Sequence, residues 1–127
     1  MRAYFDSDIL IWHLRGNSKA SALLRRCKKE PFVELWVSAV QRIEISFFTK
    51  NEEEDLTSLF LSQFSTSPIT KEIVDRASNL YKKFNAITGM GINDALTSAT
   101  VMLSGGKLYT QNIKHFPKNI MHVEKGW

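Results

Sequence analysis

The sequence predicts an α/β fold of three layers, with helices on both sides of a central, mostly parallel sheet of four or five strands. Short apolar runs alternate along the chain with stretches whose apolar residues recur at helical spacing. Such alternation is typical of parallel strands joined by right-handed helical crossovers. The chain has 127 residues and contains neither a repeat nor a low-complexity segment, so we expect one domain over residues 1–127.

The first half of the chain is predicted to contain two strands and four helices. Ser7 or Asp8 is predicted to cap the first helix, because a side-chain oxygen there accepts a free backbone N–H. Ser38 and Gln41 have the spacing of a capping box, which predicts a helix start after Ser38. The predicted strands cover residues 2–6 and 32–37, and the predicted helices cover 9–15, 18–29, 39–50 and 56–63.

The second half is predicted to contain three strands and two helices. Thr70 and Asn93 precede helical stretches and are the predicted N-caps. Gly105 and Gly106 are predicted to end the last helix, since glycine readily adopts the left-handed conformation of a helix terminus. The predicted strands cover residues 65–69 (short and polar), 107–110 and 120–123, and the predicted helices cover 71–86 and 94–103.

Composition limits the class of protein. Lysine and arginine number 17 against 13 acidic residues, and this net charge of +4 favours an anionic partner such as nucleic acid. The single cysteine, Cys27, cannot form an internal disulfide, which fits a reducing compartment and predicts a cytoplasmic protein. No stretch approaches the ~20 apolar residues needed to cross a bilayer.

The first predicted strand ends in the sequence Asp6-Ser7-Asp8. In open α/β sheets, ligands bind in the crevice at the carboxyl ends of the strands. A carboxylate at the end of this strand would therefore point into the crevice. We interpret Asp6 as the fixed point of a metal site to which other elements bring further acids.

Glu44 is the next candidate. The apolar residues Val40, Ile43, Phe47 and Phe48 have a spacing that places Glu44 on the same face of the predicted helix. A bare carboxylate on a buried face is costly unless it is paired or binds a cation. Glu44 is thus a glutamate at the rim of this face, a salt-bridged glutamate or a metal ligand.

Asp94 is the third candidate, although an acid in the first turn of a helix is favoured by the helix dipole alone. The small residues Ala95, Ala99 and Thr100 allow that helix to pack closely on the sheet. Such packing would hold Asp94 near the strand ends.

Polar residues also follow the fourth predicted strand, where Thr110 is the last residue and Asn112 comes two positions later. Asn112 either makes a turn or contacts a metal-bound water or a phosphate. Three acids from three elements suit Mg²⁺ or Mn²⁺, and such a site can activate water for in-line attack on a phosphodiester. Zinc is not indicated, because the three histidines lack ligand spacing.

Four segments together resemble the motifs of the PIN-domain family, specifically its VapC-like ribonuclease toxins. The resemblance implies a PIN-like, Rossmann-like fold in a single PIN domain. The segments are Tyr4–Gly16, Ser38–Glu44, Ile92–Thr100 and Gly106–Phe116.

The resemblance implies a Mg²⁺- or Mn²⁺-dependent endoribonuclease that is inhibited by a cognate VapB-like antitoxin and usually forms a homodimer. Carried over by position, Asp6, Glu44 and Asp94 are the catalytic acids. Asp6 and Asp94 would bind the metal directly, whereas Glu44 would bind it directly or through water. Ser7, Thr110 and Asn112 would support the site, the first two through their hydroxyl groups.

The sequence departs from the family at His115, where an aspartate is usual. With His115 and a neutral Asn112, the expectation is weaker metal binding or a one-metal site, unless His115 is simply a surface-loop residue. Two alternatives stay open. One is a PIN fold that has lost activity and only binds RNA or the antitoxin. The other is a haloacid-dehalogenase-like phosphatase, whose "DxD" start resembles Asp6-Ser7-Asp8.

Overall fold

A computed structural model describes residues 1–127 and contains one sheet of five strands in the order β3-β2-β1-β4-β5. Every neighbouring pair of strands is parallel, which confirms the predicted α/β fold. The strands are β1 (Arg2–Phe5), β2 (Glu34–Ser38), β3 (Ser65–Ser67), β4 (Lys107–Thr110) and β5 (His122–Lys125).

Six α-helices connect the strands, and two short 3₁₀ turns, Asn51–Glu53 and Ile113–His115, complete the fold. None of the helices is both long and apolar enough to span a membrane. The helices are α1 (Ser7–Leu14), α2 (Ser18–Lys29), α3 (Ala39–Phe48), α4 (Glu54–Leu61), α5 (Lys71–Thr88) and α6 (Ile92–Ser104).

The two faces of the sheet carry separate hydrophobic cores, because successive side chains of a strand point to opposite faces. Phe5 packs in the core that includes residues of α1 to α4. Tyr4 packs in the core on the other face, beside Val101 of α6. A third cluster joins α5 to α6 and includes the predicted small residues Ala95 and Ala99. The sheet therefore lies between two helical layers.

Several predicted boundaries agree with the structure. The helix over residues 18–29 and the strand over 107–110 have the predicted bounds. The capping box of Ser38 and Gln41 is present, and the Thr70 side chain accepts the N–H of Ile73 at 3.2 Å. Gly105 ends α6 in the left-handed conformation, with φ of 70°.

Two predicted N-caps are wrong. The N-cap of α1 is Asp6 rather than Ser7 or Asp8, so the helix begins two residues earlier than predicted. The N-cap of α6 is Gly91 rather than Asn93. In α6 the carboxylate of Asp94 reaches back to accept the Gly91 N–H, so the helix extends back to Ile92. In both cases an acid of the candidate site also organises the helix start.

Two predicted strands are displaced towards the carboxyl terminus. Phe32 has a φ of 67° and is 92% exposed, so it belongs to the turn that precedes β2. The last strand begins at His122 instead of Ile120, because residue 122 is the first to pair with β4.

The predicted apolar face of α3 is also wrong. Ile43 and Phe47 are 52% and 79% exposed, whereas Val40, Gln41 and Ile45 are buried. Helix α3 turns the face that contains the polar residue Gln41 towards the core, where the hydrogen bonds of this residue are satisfied. Glu44 consequently lies half-buried at the border of this face.

Candidate active site

Asp6 occupies the carboxyl end of β1, the central strand of the sheet. Its Oδ1 accepts the Ser7 backbone N–H at 2.9 Å. Its Oδ2 accepts the Thr110 hydroxyl, also at 2.9 Å, from the end of the neighbouring strand β4. The strand order reverses between β1 and β4, and in open α/β sheets this point is where ligands bind.

The surroundings of Asp6 disfavour its ionised form. Burial raises the pKa of Asp6 to about 7, and the nearby carboxylates of Asp8 and Glu44 add to the rise. The hydrogen bonds from Thr110 and Ser7 act in the opposite direction. No lysine or arginine forms an ion pair with Asp6, Asp8 or Glu44. A cation at this position would therefore relieve an unfavourable accumulation of negative charge.

Asp8 accepts hydrogen bonds from two separate elements next to Asp6. Its Oδ1 accepts the Ile9 N–H at 2.7 Å, and its Oδ2 accepts the Gln111 N–H at 2.9 Å. Burial raises the pKa of Asp8, although these backbone hydrogen bonds oppose the rise. Asp8 thereby ties the start of α1 to the loop after β4, and no sequence signal pointed to Gln111 as its partner.

Glu44 approaches from α3. Its Oε1 accepts the hydroxyl of Ser7 at 3.2 Å. Burial raises the pKa of Glu44, and the neighbouring carboxylates of Asp94 and Asp8 raise it further. The side chain of Asn93 lies beside the carboxylate and lowers its pKa. The salt-bridged alternative for Glu44 is therefore wrong, because its neighbours are acids and hydrogen-bond donors.

Asp94 is held at the start of α6. Its Oδ2 accepts the Gly91 N–H at 2.9 Å. The same oxygen lies 3.4 Å from Nδ1 of His115, which is half-buried. His115 therefore contacts one of the predicted acids and is not a remote surface-loop residue.

Thr110 and Asn112 support the site in different ways. Thr110 is fully buried, and its hydroxyl accepts the Asn112 N–H at 3.1 Å while donating to Asp6. The Asn112 side chain is exposed and forms no hydrogen bond with any of the acids. Asn112 thus contributes through its backbone in this structure, and a metal contact by its side chain stays a prediction.

The donor set suits a hard cation, since it consists of carboxylate and hydroxyl oxygens with no thiolate. Asp6, Asp8 and Glu44 lack cationic partners, which also fits a cation binding among them. No three Asp, Glu, His or Cys side chains lie close enough together to hold one ion directly. Water molecules would therefore supply the remaining ligands, and Mg²⁺ usually keeps several bound waters in proteins.

Residues 3–118 match the PIN domain family, and the chain belongs to this family. Ribonuclease VapC10 of Mycobacterium tuberculosis is 31% identical over 113 residues, which are 88% of this chain and 84% of that protein.

The fold is similar to that of solved toxin–antitoxin structures. A toxin–antitoxin complex from Klebsiella pneumoniae matches with a TM-score of 0.83 and 27% identity, over 98% of each chain. VapBC2 from Rickettsia felis, bound to a promoter DNA fragment, matches with a TM-score of 0.80 and 20% identity, over 100% of this chain and 99% of that one.

Proposed function

We propose that this protein is a VapC-like toxin, an endoribonuclease that uses Mg²⁺ or Mn²⁺ to hydrolyse RNA phosphodiester bonds and is inhibited by a cognate VapB-like antitoxin. Membership of the PIN domain family and the similarity to Ribonuclease VapC10 support the ribonuclease activity. The similarity to a toxin–antitoxin complex supports the partner. The observation that carries the metal dependence is the buried, cation-free surroundings of Asp6.

Each acid has a distinct proposed role. Asp6 and Asp94 would hold the metal ion directly, and Glu44 would bind it through water, since no three such side chains lie close enough together to hold one ion directly. A bound Mg²⁺ or Mn²⁺ would lower the pKa of a water molecule and stabilise charge on the phosphate. Glu44 suits proton transfer from the attacking water, because burial raises its pKa above the ordinary value of a glutamate. Thr110 and Ser7 keep Asp6 and Glu44 oriented through their hydroxyl groups.

Two further properties belong to the same proposal. A homodimer is expected by analogy with VapC-like toxins, and sedimentation of the purified protein would measure its assembly. A cytoplasmic location agrees with an RNA substrate and with the unpaired Cys27, which is buried.

The central test is the substitution Asp94→Asn, which preserves the size of the side chain but removes its charge. We expect cleavage of single-stranded or looped RNA in Mn²⁺ to fall by about 100-fold or more, since even partners outside the ligand shell contribute up to about that factor. EDTA should abolish cleavage by the wild type. The measurement is the rate of RNA cleavage by purified protein.

The matched control is Asp75→Asn on α5, because Asp75 is exposed and pairs only with Lys71. This variant should cleave RNA at the wild-type rate. If wild type and Asp94→Asn leave RNA equally intact with every metal, the nuclease proposal is wrong and the binding-only PIN fold gains support. Release of inorganic phosphate from a small phosphomonoester would instead favour the phosphatase alternative, which the family match does not support.

A further inference from the structure

A buried hydrogen bond joins the two helices that carry Glu44 and Asp94. Gln41 of α3 is 0% exposed and Thr97 of α6 is 2% exposed. The Gln41 Nε2 donates to Thr97 Oγ1 at 2.9 Å. This is a direct polar connection between α3 and α6 inside the protein.

The orientation of the Gln41 amide is determined by its other contacts. Its Oε1 accepts the backbone N–H of Ser38 at 2.9 Å and the Ser38 hydroxyl at 2.6 Å. With its oxygen occupied on the Ser38 side, the amide nitrogen has to face Thr97. The bond to Thr97 is thus anchored to the start of α3 and has little freedom to move.

The bond lies one helical turn from each acid. Gln41 precedes Glu44 by three positions on α3, and Thr97 follows Asp94 by three positions on α6. Residues three apart in a helix share one face, so each acid projects from the same side as the residue that forms the bond. A change in the distance between Gln41 and Thr97 would therefore change the distance between the two carboxylates.

The kind of contact between α3 and α6 determines how closely their separation is defined. Two apolar side chains could fill the same space but would not define one separation, whereas a hydrogen bond has a preferred length and direction.

We propose that Gln41 is a positioning residue that, through its hydrogen bond to Thr97, sets the separation of Glu44 and Asp94 for metal binding. The inference rests on the proposed metal-dependent activity. It assigns a function to a polar residue that sequence patterns placed only in a capping box.

The test compares Thr97→Val with Thr97→Ser in the full chain. Valine has nearly the shape of threonine but lacks the hydroxyl, whereas serine keeps the hydroxyl. We expect Thr97→Val to weaken Mn²⁺ binding by about tenfold. Residues that orient metal ligands without touching the metal typically change metal affinity by about this factor when they are replaced. Thr97→Ser should bind Mn²⁺ nearly as well as the wild type. Electron paramagnetic resonance of free Mn²⁺ measures this affinity without RNA.

RNA cleavage provides a second readout. We expect Thr97→Val to need more Mn²⁺ for half-maximal cleavage while its KM for RNA at saturating Mn²⁺ stays unchanged. If Thr97→Val does not fold, Thr97→Ala removes the same hydroxyl with less demand on the surrounding space. The same loss of Mn²⁺ affinity is expected from it.

Tyr4→Phe is the matched control, since it removes another buried hydrogen bond, the 2.7 Å contact between the Tyr4 hydroxyl and Ser67 Oγ, which involves none of the acids. It should lower thermal stability but leave Mn²⁺ affinity unchanged. If Thr97→Val loses stability yet binds Mn²⁺ like the wild type, the positioning role is wrong. A wild type that neither binds Mn²⁺ nor cleaves RNA would instead refute the proposed function, and this inference with it.

Discussion

Asp6 combines a structural and a proposed chemical role in one side chain. One carboxylate oxygen caps α1 and the other accepts the Thr110 hydroxyl from β4. Burial and the neighbouring acid Asp8 nevertheless raise its pKa to about 7. The Asp6 carboxylate is thus fixed by hydrogen bonds, yet its surroundings disfavour the charged form. Strongly shifted pKa values of this kind are common at functional sites.

Asp6→Asn should stabilise the metal-free protein at pH 8. The pKa of Asp6 rises from 3.8 in a model peptide to about 7 in the folded protein. Between about pH 4 and pH 7 the folded state retains a proton that the unfolded chain has lost, so this residue makes stability fall as pH rises. We expect the variant to gain about 2 kcal/mol in free energy of unfolding at pH 8, since solvent screens part of the effect.

Urea unfolding in EDTA between about pH 3 and pH 8 measures this stability difference, and the variant should equal the wild type below about pH 3, where Asp6 is protonated in both states. A difference between the two proteins that does not vary with pH would contradict the assigned pKa of Asp6. Adding Mn²⁺ at pH 8 should stabilise the wild type more than the variant, because the proposed site holds the ion through the Asp6 carboxylate.

Sequence reasoning proposed Asp6, Glu44 and Asp94 as site residues but did not predict the contacts that Asp8 and His115 make. Asp8 follows Asp6 in the same segment, so a pattern cannot tell which carboxylate faces the crevice. The contact between His115 and Asp94 joins a loop after β4 to the start of α6. Only the packing of these two elements against the same sheet edge brings the residues together.

At the scale of elements, the turn from α6 into β4 shows how two adjacent glycines differ. Gly105 has a positive φ of 70° but open space where a side chain would lie. A Cβ on Gly106 would lie 2.8 Å from the Arg2 carbonyl oxygen and 2.9 Å from Tyr4 Cε2. Gly105 is therefore required by its backbone conformation. Gly106 is required because β1 lies too close to leave room for a side chain.

Gly106→Ala should therefore destabilise the protein more than Gly105→Ala. We expect a loss of about 1 kcal/mol for Gly105→Ala, from the left-handed conformation alone. For Gly106→Ala we expect about 3 kcal/mol, because the backbone of β1 has to move. Chemical unfolding of both variants measures the difference. Equal losses would show that β1 accommodates the added methyl group.

Helix α3 shows why an apolar pattern can mislead. Its conspicuous apolar residues, including Ile43 and Phe47, face outward, and the polar residue Gln41 faces inward. Periodicity identifies a face but not the side that the rest of the molecule covers. The prediction that Glu44 lies near buried surface held because Val40 and Gln41, one turn before it, are both buried.

At the scale of the whole molecule, charge is distributed unevenly between the site and the surface. The acids of the candidate site lie at the carboxyl edge of the sheet, whereas the chain as a whole carries a net charge of +4. Helix α2 contributes a group of exposed basic residues, which are Lys19, Arg25, Arg26, Lys28 and Lys29. Such a basic surface favours an anionic partner such as RNA.

RNA binding should accordingly weaken with salt. With the cleavage-deficient Asp94→Asn variant, we expect the Kd for single-stranded RNA to rise about tenfold between about 50 and 200 mM salt, which corresponds to two or three neutralised phosphates. Fluorescence anisotropy at constant Mn²⁺ measures the Kd. A salt-independent Kd would show that phosphate contacts contribute little and that the basic surface has another purpose.

The sequence by itself determined the class of fold and the identities of the candidate acids. Alternating short apolar runs and helical stretches are local patterns, and so are the acids after β1 and at the start of α6. The tertiary structure alone decided which side of α3 is buried, that His115 reaches Asp94, and that Gln41 bonds to Thr97 across 56 positions of sequence. These contacts depend on how separate elements pack, and no local pattern encodes the distance between residues on different elements.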